Sequence, residues 1–340
     1  MITSIEIENL RGIRHGRLEG LGPLTILTGP NACGKSTVLD ALLIACSPDP
    51  ADAVGRAVAR HPAVSGGSRW LFRRGKSKAR VELTTLAAGK WERRLERFDH
   101  CTEELREELI RRRSPPPYSM VGVDENEYSE KAAHDWTGFG GDNQFSAERG
   151  SDRSLSTIPF VRLVDPGVAI PLHRTFTAVA EAGRRDAVHD LLGLLIPGFE
   201  RLEIIAFTET DFGLAVTAAG GSVPVGLSGD GIQAFVQLAL EIAVAPQGLV
   251  LVEEPEVYQH PRAIGQSARA LLANVRRGVQ MVITTHSLEL IDALLAEAEG
   301  ADLERLVLFN LLLDNGELKS GRRAGGEIAF ARQTLEKDLR

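Results

Sequence analysis

The feature that most narrows what this chain can fold into is the run Gly29-Pro30-Asn31-Ala32-Cys33-Gly34-Lys35-Ser36, with Thr37 behind it. Before it stands Leu24 to Thr28, which reads as a short strand. After it come Val38, Leu39, Ala41, Leu42, Leu43 and Ala45, a broad apolar face for a helix that Ser47-Pro48-Asp49-Pro50 ends. Strand, glycine-rich loop and helix in this order make an anion cradle. Backbone N–H groups turn inward around a phosphate, and Gly29 and Gly34 let the chain curl. Lys35 is placed for the β- and γ-phosphates of a nucleotide, and the Ser36 hydroxyl for Mg²⁺.

Three later motifs extend this reading. The strand Leu249 to Val252 ends in Glu253-Glu254-Pro255-Glu256, where the sheet of a nucleotide hydrolase presents acids to metal and water. Glu253 is the candidate Mg²⁺ ligand and Glu254 the candidate base that polarises the attacking water. A second apolar strand, Val279 to Thr284, leads into Thr285-His286-Ser287, so that His286 can hydrogen-bond the γ-phosphate or the water. Finally, Ser228-Gly229-Asp230-Gly231 precedes a helix from about Ile232 to Val244 and offers another anion site from backbone N–H groups and the helix dipole. One phosphate loop rarely needs a second phosphate-binding helix start, so this loop is expected to cap the nucleotide of a neighbouring subunit.

In this order the four motifs resemble the ATP-binding cassette superfamily, in its soluble branch with SMC and RecF heads and the ATPase part of OLD-type (overcoming lysogenization defect) proteins. Ile5-Glu6-Ile7-Glu8-Asn9-Leu10-Arg11-Gly12 is similar to the first strand of that branch, and Glu253-Glu254-Pro255-Glu256 with His260-Pro261 is most similar to the OLD type. The resemblance covers about residues 1–46 and 200–340. It implies an α/β P-loop NTPase: a cassette-like ATPase head with a mostly parallel sheet flanked by helices, and an α/β lobe inserted at 47–199. It also implies ATP and Mg²⁺ as cofactors and a head-to-tail homodimer with two ATP molecules between the subunits. Glu253 departs from the Asp of many relatives, and Asp230 leaves open whether Ser228 or Gly229 takes the serine-like position. Gln144 is a candidate for the glutamine that links ATP to the inserted lobe, and Arg11 is read either as a phosphate contact or as a solvated arginine.

Between Leu202 and the end, strands at about Leu202 to Phe207, Phe212 to Thr217 and Leu306 to Leu313 alternate with helices at Arg262 to Val275 and Ser287 to Glu299. That alternation implies a parallel sheet covered on both faces. Within the lobe, strands are expected at Ala79 to Leu86, Trp91 to Phe98 and Ile158 to Val164. Helices are expected near Thr102 to Arg113 and over Thr177 to Leu195, and the polar stretch 119–154 reads as a long or mobile excursion. A hydrophobic content of 43% and charged content of 25% fit a folded globular chain. No apolar run reaches the roughly 18–20 residues of a membrane helix, the N-terminus lacks a signal-peptide core, and Cys33, Cys46 and Cys101 have no metal spacing. A cytoplasmic protein without a membrane role is expected.

The net charge of -7 opposes a uniformly basic nucleic-acid binder, yet the segment 69–97 is locally cationic, with Arg73, Arg74 and Lys76 at its centre and Trp70, Phe72 and Trp91 as stacking candidates. The leading expectation is an ATP-hydrolysing dimeric switch acting on a partner protein or nucleic acid. A RecF- or SMC-like DNA-repair ATPase is the alternative, and the nucleotide-binding subunit of a membrane transporter comes third. Ser287 to Arg340 is accounted for by a strand, a hairpin and a terminal helix. No nuclease domain is therefore expected, and any effector should be a separate chain, in bacterial phage defence by family analogy.

Overall fold

The computed structural model describes residues 1–47, 50–59, 70–87, 89–98, 118–124, 133–136, 161–164, 172–244 and 248–340. The helix expected near Thr102 to Arg113, Gln144, and most of 119–154 lie outside the described residues. In chain order the first strands are β1 (Ile2–Leu10), β2 (Ile13–Glu19) and β3 (Leu24–Thr28), followed by helices α1 (Lys35–Cys46) and α2 (Pro50–Ala59). Next come β4 (Lys78–Thr85), β5 (Gly89–Phe98), β6 (Tyr118–Asp124), β7 (Ala133–Trp136) and β8 (Val161–Val164). Helices α3 (Leu172–Glu181) and α4 (Arg185–Leu195) precede β9 (Phe199–Ala206), β10 (Phe212–Ala218) and β11 (Gly221–Pro224). Then follow α5 (Asp230–Val244), β12 (Leu249–Glu253), α6 (Pro261–Arg276), β13 (Gln280–Thr284), α7 (Leu288–Glu297) and α8 (Gly300–Leu303). Last come β14 (Leu306–Asp314), β15 (Glu317–Ala324) and α9 (Gly325–Ala329).

Two compact units emerge. The first comprises Met1–Gly22, Gly29–Pro159 and Leu311–Gly321, the second Pro23–Thr28, Phe160–Asn310 and Arg322–Arg340.

In the first unit the strand order is β7-β6-β5-β4-β1-β2-β15. β1 pairs antiparallel with both β2 and β4, as β4 does with β5. Ile5 and Ile7 fall on one side by the two-residue period, the register shifts between Ile2 and Ser4, and Ile2, Ile5 and Ile7 are all buried. On the other side Glu6 and Glu8 meet Arg80 of β4, whose guanidinium nitrogens lie 3.1 and 2.7 Å from them and 3.1 Å from Glu92. Arg80 holds the Glu8 carboxyl below its ordinary pKa. Helix α1 packs against β1, β4, β5 and α2. Every residue of it except Ser36 is buried, so the helix that leaves the glycine-rich loop is an interior helix, wider in its burial than a one-faced pattern suggests.

The second unit holds the order β14-β3-β13-β12-β8, with every pairing parallel. A separate antiparallel sheet runs β11-β10-β9. The central strands β3 and β13 are buried along their whole length, as parallel strands covered on both faces must be. Helices α3 and α4 pack on α5, and α4 and α7 on α6. The fold is α/β with a mostly parallel, curled sheet flanked by helices.

Three local readings change. Within the stretch 119–154, expected as a long or mobile excursion, residues 119–124 belong to β6 and residues 133–136 form β7. Ile13–Glu19 is a strand: Ile13, Gly16 and Leu18 are buried in a pattern broken up by Arg14, His15 and Arg17, and the Arg11-Gly12 turn that makes the hairpin has Arg11 at φ 48°. The helix expected over Thr177 to Leu195 is two helices, because Gly183 at φ 68° takes the left-handed conformation that ends α3. The turn at Asp314-Asn315-Gly316 forms as expected, with Asn315 at φ 51° and Gly316 at φ 87°, the positive pair that a tight hairpin requires.

Candidate active site

The glycine-rich loop belongs to the first unit. Gly29 has φ 136° and lies so close to β14 that a Cβ there would meet the Leu311 carbonyl oxygen, at 2.3 Å. Ala32 at φ 61° and Gly34 at φ 100° curl the chain, and Gly34 is the N-cap of α1. Pro30, Asn31 and Ala32 are exposed on the rim while Gly29 and Cys33 are buried. Lys35 lies beneath them: its Nζ donates to the carbonyls of Gly29 at 3.0 Å and Pro30 at 3.2 Å, with Cys33 Sγ at 3.9 Å. Ser36 is half-buried and Thr37 buried at the start of α1. A buried ammonium inside a curl of backbone at the N-terminus of a long helix fits the phosphates of a nucleotide.

The acidic edge belongs to the second unit. Leu27, Thr284 and Glu253 stand side by side across β3, β13 and β12, at the carboxyl end where such sheets carry ligands. Glu254 follows in the left-handed region at φ 42°, before Pro255, a conformation rare for a side chain of this size. It is held there from β13, its N–H donating to the Thr284 carbonyl and hydroxyl oxygens, each at 3.1 Å. The result brings Glu254 Oε1 to 3.5 Å from His286 Nε2, with both side chains about one-third exposed. Two residues on, Glu256 Oε1 accepts the Thr285 hydroxyl at 2.5 Å and the His286 N–H at 3.1 Å. Burial pushes the Glu256 carboxyl above its ordinary pKa, against the pull of those bonds. Sequence reasoning missed Glu256 as a participant. Its signal was the third carboxylate in the run, whose place the strand pairing alone reveals.

Ser228 to Gly231 also lie in the second unit. The Ser228 hydroxyl donates to the Pro224 carbonyl at 2.9 Å, closing the turn Val225–Leu227, and Gly229 at φ 82° accepts from the N–H groups of Ile232 and Gln233 as α5 begins. Asp230 lies in the first turn of α5, on the favourable side of its dipole. Gly231 abuts Tyr258, whose carbonyl oxygen would stand 2.9 Å from a Cβ at that position.

Arg11 is not a solvated arginine: its side chain is mostly buried. Its Nε pairs at 2.9 Å with Asp40, a fully buried residue of α1, and its other end donates to the Ala57 carbonyl at 2.9 Å. Within the basic segment, Arg93 is buried and donates to the Ser47 carbonyl, Phe72 is buried, and Arg73 donates to the Gly12 carbonyl, while Trp70, Arg74, Lys76 and Lys78 are exposed. The side chain of Trp91 and those of Arg94 and Arg97 lie outside the described residues.

With this geometry in place, comparison with known proteins is informative. Residues 24–292 match the family described as "AAA domain, putative AbiEii toxin, Type IV TA system". The chain belongs to this family. It is 31% identical over 113 residues to "Uncharacterized protein MJECL11" of Methanocaldococcus jannaschii, a match spanning 33% of this chain and 98% of that one. It is also 48% identical over 44 residues to "Uncharacterized protein MJECL10" of the same organism, spanning 13% of this chain and 20% of the other. In structure it is similar to the Smc head bound to the C-terminal winged-helix domain of ScpA, with TM-score 0.58 and 14% identity over 95% of this chain and 97% of that one. An Smc head with an extended coiled coil, bound to the C-terminal domain of ScpA derived from Pyrococcus furiosus, gives TM-score 0.58 and 12% identity over 99% of each chain. The fold is similar to that of Smc heads. Among the described residues no helix is long and apolar enough to cross a membrane.

Proposed function

We propose that this chain binds ATP with Mg²⁺ and hydrolyses it, acting as a dimeric switch. Lys35 and the loop N–H groups hold the phosphates, while Ser36 and Glu253 hold the metal, whose charge would offset that of the phosphates. Glu254 is the base that orients and deprotonates the attacking water, and His286 hydrogen-bonds the γ-phosphate or that water. The observation that carries the reading is the Glu254–His286 pair at 3.5 Å, kept in place by an unusual backbone conformation at a strand end. Strain of this kind persists where the surrounding structure enforces it.

In this reading Ser228 to Gly231 cap the nucleotide of a second copy of the chain, so that ATP closes a head-to-tail homodimer and hydrolysis opens it. The motion is passed to a separate effector, within a cytoplasmic toxin–antitoxin or phage-defence setting of the kind the family description and the OLD-type motif suggest. A nucleic-acid target is the second reading, favoured by the exposed Trp70, Arg74, Lys76 and Lys78. Neutralising Arg74, Lys76 and Lys78 together should then flatten the salt dependence of DNA or RNA binding.

Glu254→Gln tests the main reading. It should lower kcat by about 10² or more while ATP binding persists, as expected when a general base is removed. It should also favour the closed dimer in sedimentation with ATP. Unchanged hydrolysis would remove Glu254 from the mechanism. Lys35→Ala is the complementary variant and should abolish ATP binding in calorimetry.

A further inference from the structure

The structure assigns to Glu256 the role of a positioning residue, a latch that ties the Glu254 segment to His286 so that base and histidine keep their separation; this rests on the ATPase reading. Glu254 and His286 follow two different strands, β12 and β13, and neither strand's own ladder fixes where the residues beyond its end lie. The Glu254 N–H reaches only back to Thr284, the last residue of β13, and the connection onward to Thr285 and His286 is made by a side chain. Glu256 Oε1 accepts at once from the Thr285 hydroxyl and from the His286 backbone N–H. Thr285, fully buried, is itself fixed: its N–H donates to the Leu27 carbonyl at 3.0 Å, and its hydroxyl oxygen accepts the Ser287 N–H at 2.9 Å.

The other end of the latch is equally anchored. Val257 N–H donates to the Glu254 carbonyl at 2.9 Å and Gln259 N–H to the Glu256 carbonyl at 3.1 Å, folding Glu254 to Gln259 into consecutive turns. Gln259 donates to the Pro255 carbonyl and accepts the Ser267 hydroxyl of α6 at 2.7 Å. Glu256 is thus the side chain joining a rigid turn on one strand to a rigid turn on the next, with Glu254 and His286 on the two sides of the joint. A carboxylate accepting an O–H and an N–H makes stronger bonds than a neutral acceptor. Burial and the neighbouring Glu254 both oppose that charge.

The test is a kinetic cycle in the full chain. Glu256→Ala should lower kcat for ATP about tenfold to a hundredfold, the scale set by misplacing a catalytic group by an ångström, and leave KM within about threefold. Glu256→Gln, which keeps an acceptor oxygen, should recover most of the loss. In a His286→Ala background, adding Glu256→Ala should change kcat by less than about twofold, because coupled residues are non-additive. A kcat for Glu256→Ala equal to wild type, or the same fractional loss with and without His286, would overturn the latch. Should Glu256→Ala fail to fold, Thr285→Val takes its place: reduced kcat with intact ATP binding supports the latch, and unchanged kcat overturns it. A wild-type chain that hydrolyses no ATP would sink the activity reading alone. The latch then stands or falls on NMR, where Glu256→Ala should shift the His286 ring resonances and unshifted resonances would refute it.

Discussion

The glycine-rich loop of the first unit and the acid–histidine edge of the second are built in opposite ways. The loop is almost wholly local. Gly29 to Thr37 are consecutive, Lys35 bonds to carbonyls five and six residues behind it, and the curl of the loop follows from backbone torsions at Gly29, Ala32 and Gly34. The edge is assembled from separated segments. Glu254, Glu256, Thr285 and His286 meet only because β12 and β13 pair in register, and bonds spanning about thirty positions hold them. A local site is therefore most vulnerable to changes in backbone freedom, and an assembled site to the loss of single cross-links.

The sharpest way to break this contrast is Gly29→Ala. Its φ of 136° excludes an ordinary L-residue, and the added carbon would press on the Leu311 carbonyl. Left-handed strain of about 1–2 kcal/mol together with overpacking of about 1–3 kcal/mol predicts a loss of ATP affinity of about a hundredfold or more in calorimetry. Retained affinity would show the loop to be softer than its torsions imply. Gly231→Ala probes the second unit at a place where the same residue type acts by close approach, without positive φ. The Tyr258 carbonyl must give way, so a stability loss of about 1–3 kcal/mol by denaturant unfolding is expected, with ATP affinity of the separate subunit little changed.

The smallest effect sharpens the comparison on the stability side. In the second unit Asp302, nearly buried, meets Arg276 at 2.6 Å, and that guanidinium holds its carboxyl below the ordinary range. A depressed carboxylate contributes stability above its unfolded pKa of about 4 and loses it as pH falls through the folded value. Asp302→Asn should thus destabilise by about 1–2 kcal/mol at pH 7, and the gap from wild type should close on acidification below pH 4. A gap independent of pH would mean that packing, and not charge, is what Asp302 supplies.

Much of this was legible in the sequence, and the unevenness has a physical origin. The loop, the apolar strands β3, β12 and β13 and the helix after His286 are specified by contiguous residues, so torsional preference and periodicity suffice. β2 escaped because charged residues interrupt its alternation, and the single helix expected over Thr177 to Leu195 was divided by one glycine. Arg11 shows the limit at a single residue. Placed near the loop by the motif, its charge goes to a buried aspartate that only the packing of α1 brings within reach.

By itself, then, the sequence determined the glycine-rich loop, the strand and helix on either side of it, and the placing of Glu253, Glu254 and His286 at strand ends, because each is encoded within a few neighbouring positions. The tertiary structure alone decided that Glu254 sits strained beside His286, that Glu256 joins their two strands, and that Arg11 belongs to Asp40. Those facts depend on strand register and on which side chains become buried, and both are settled only when distant segments pack.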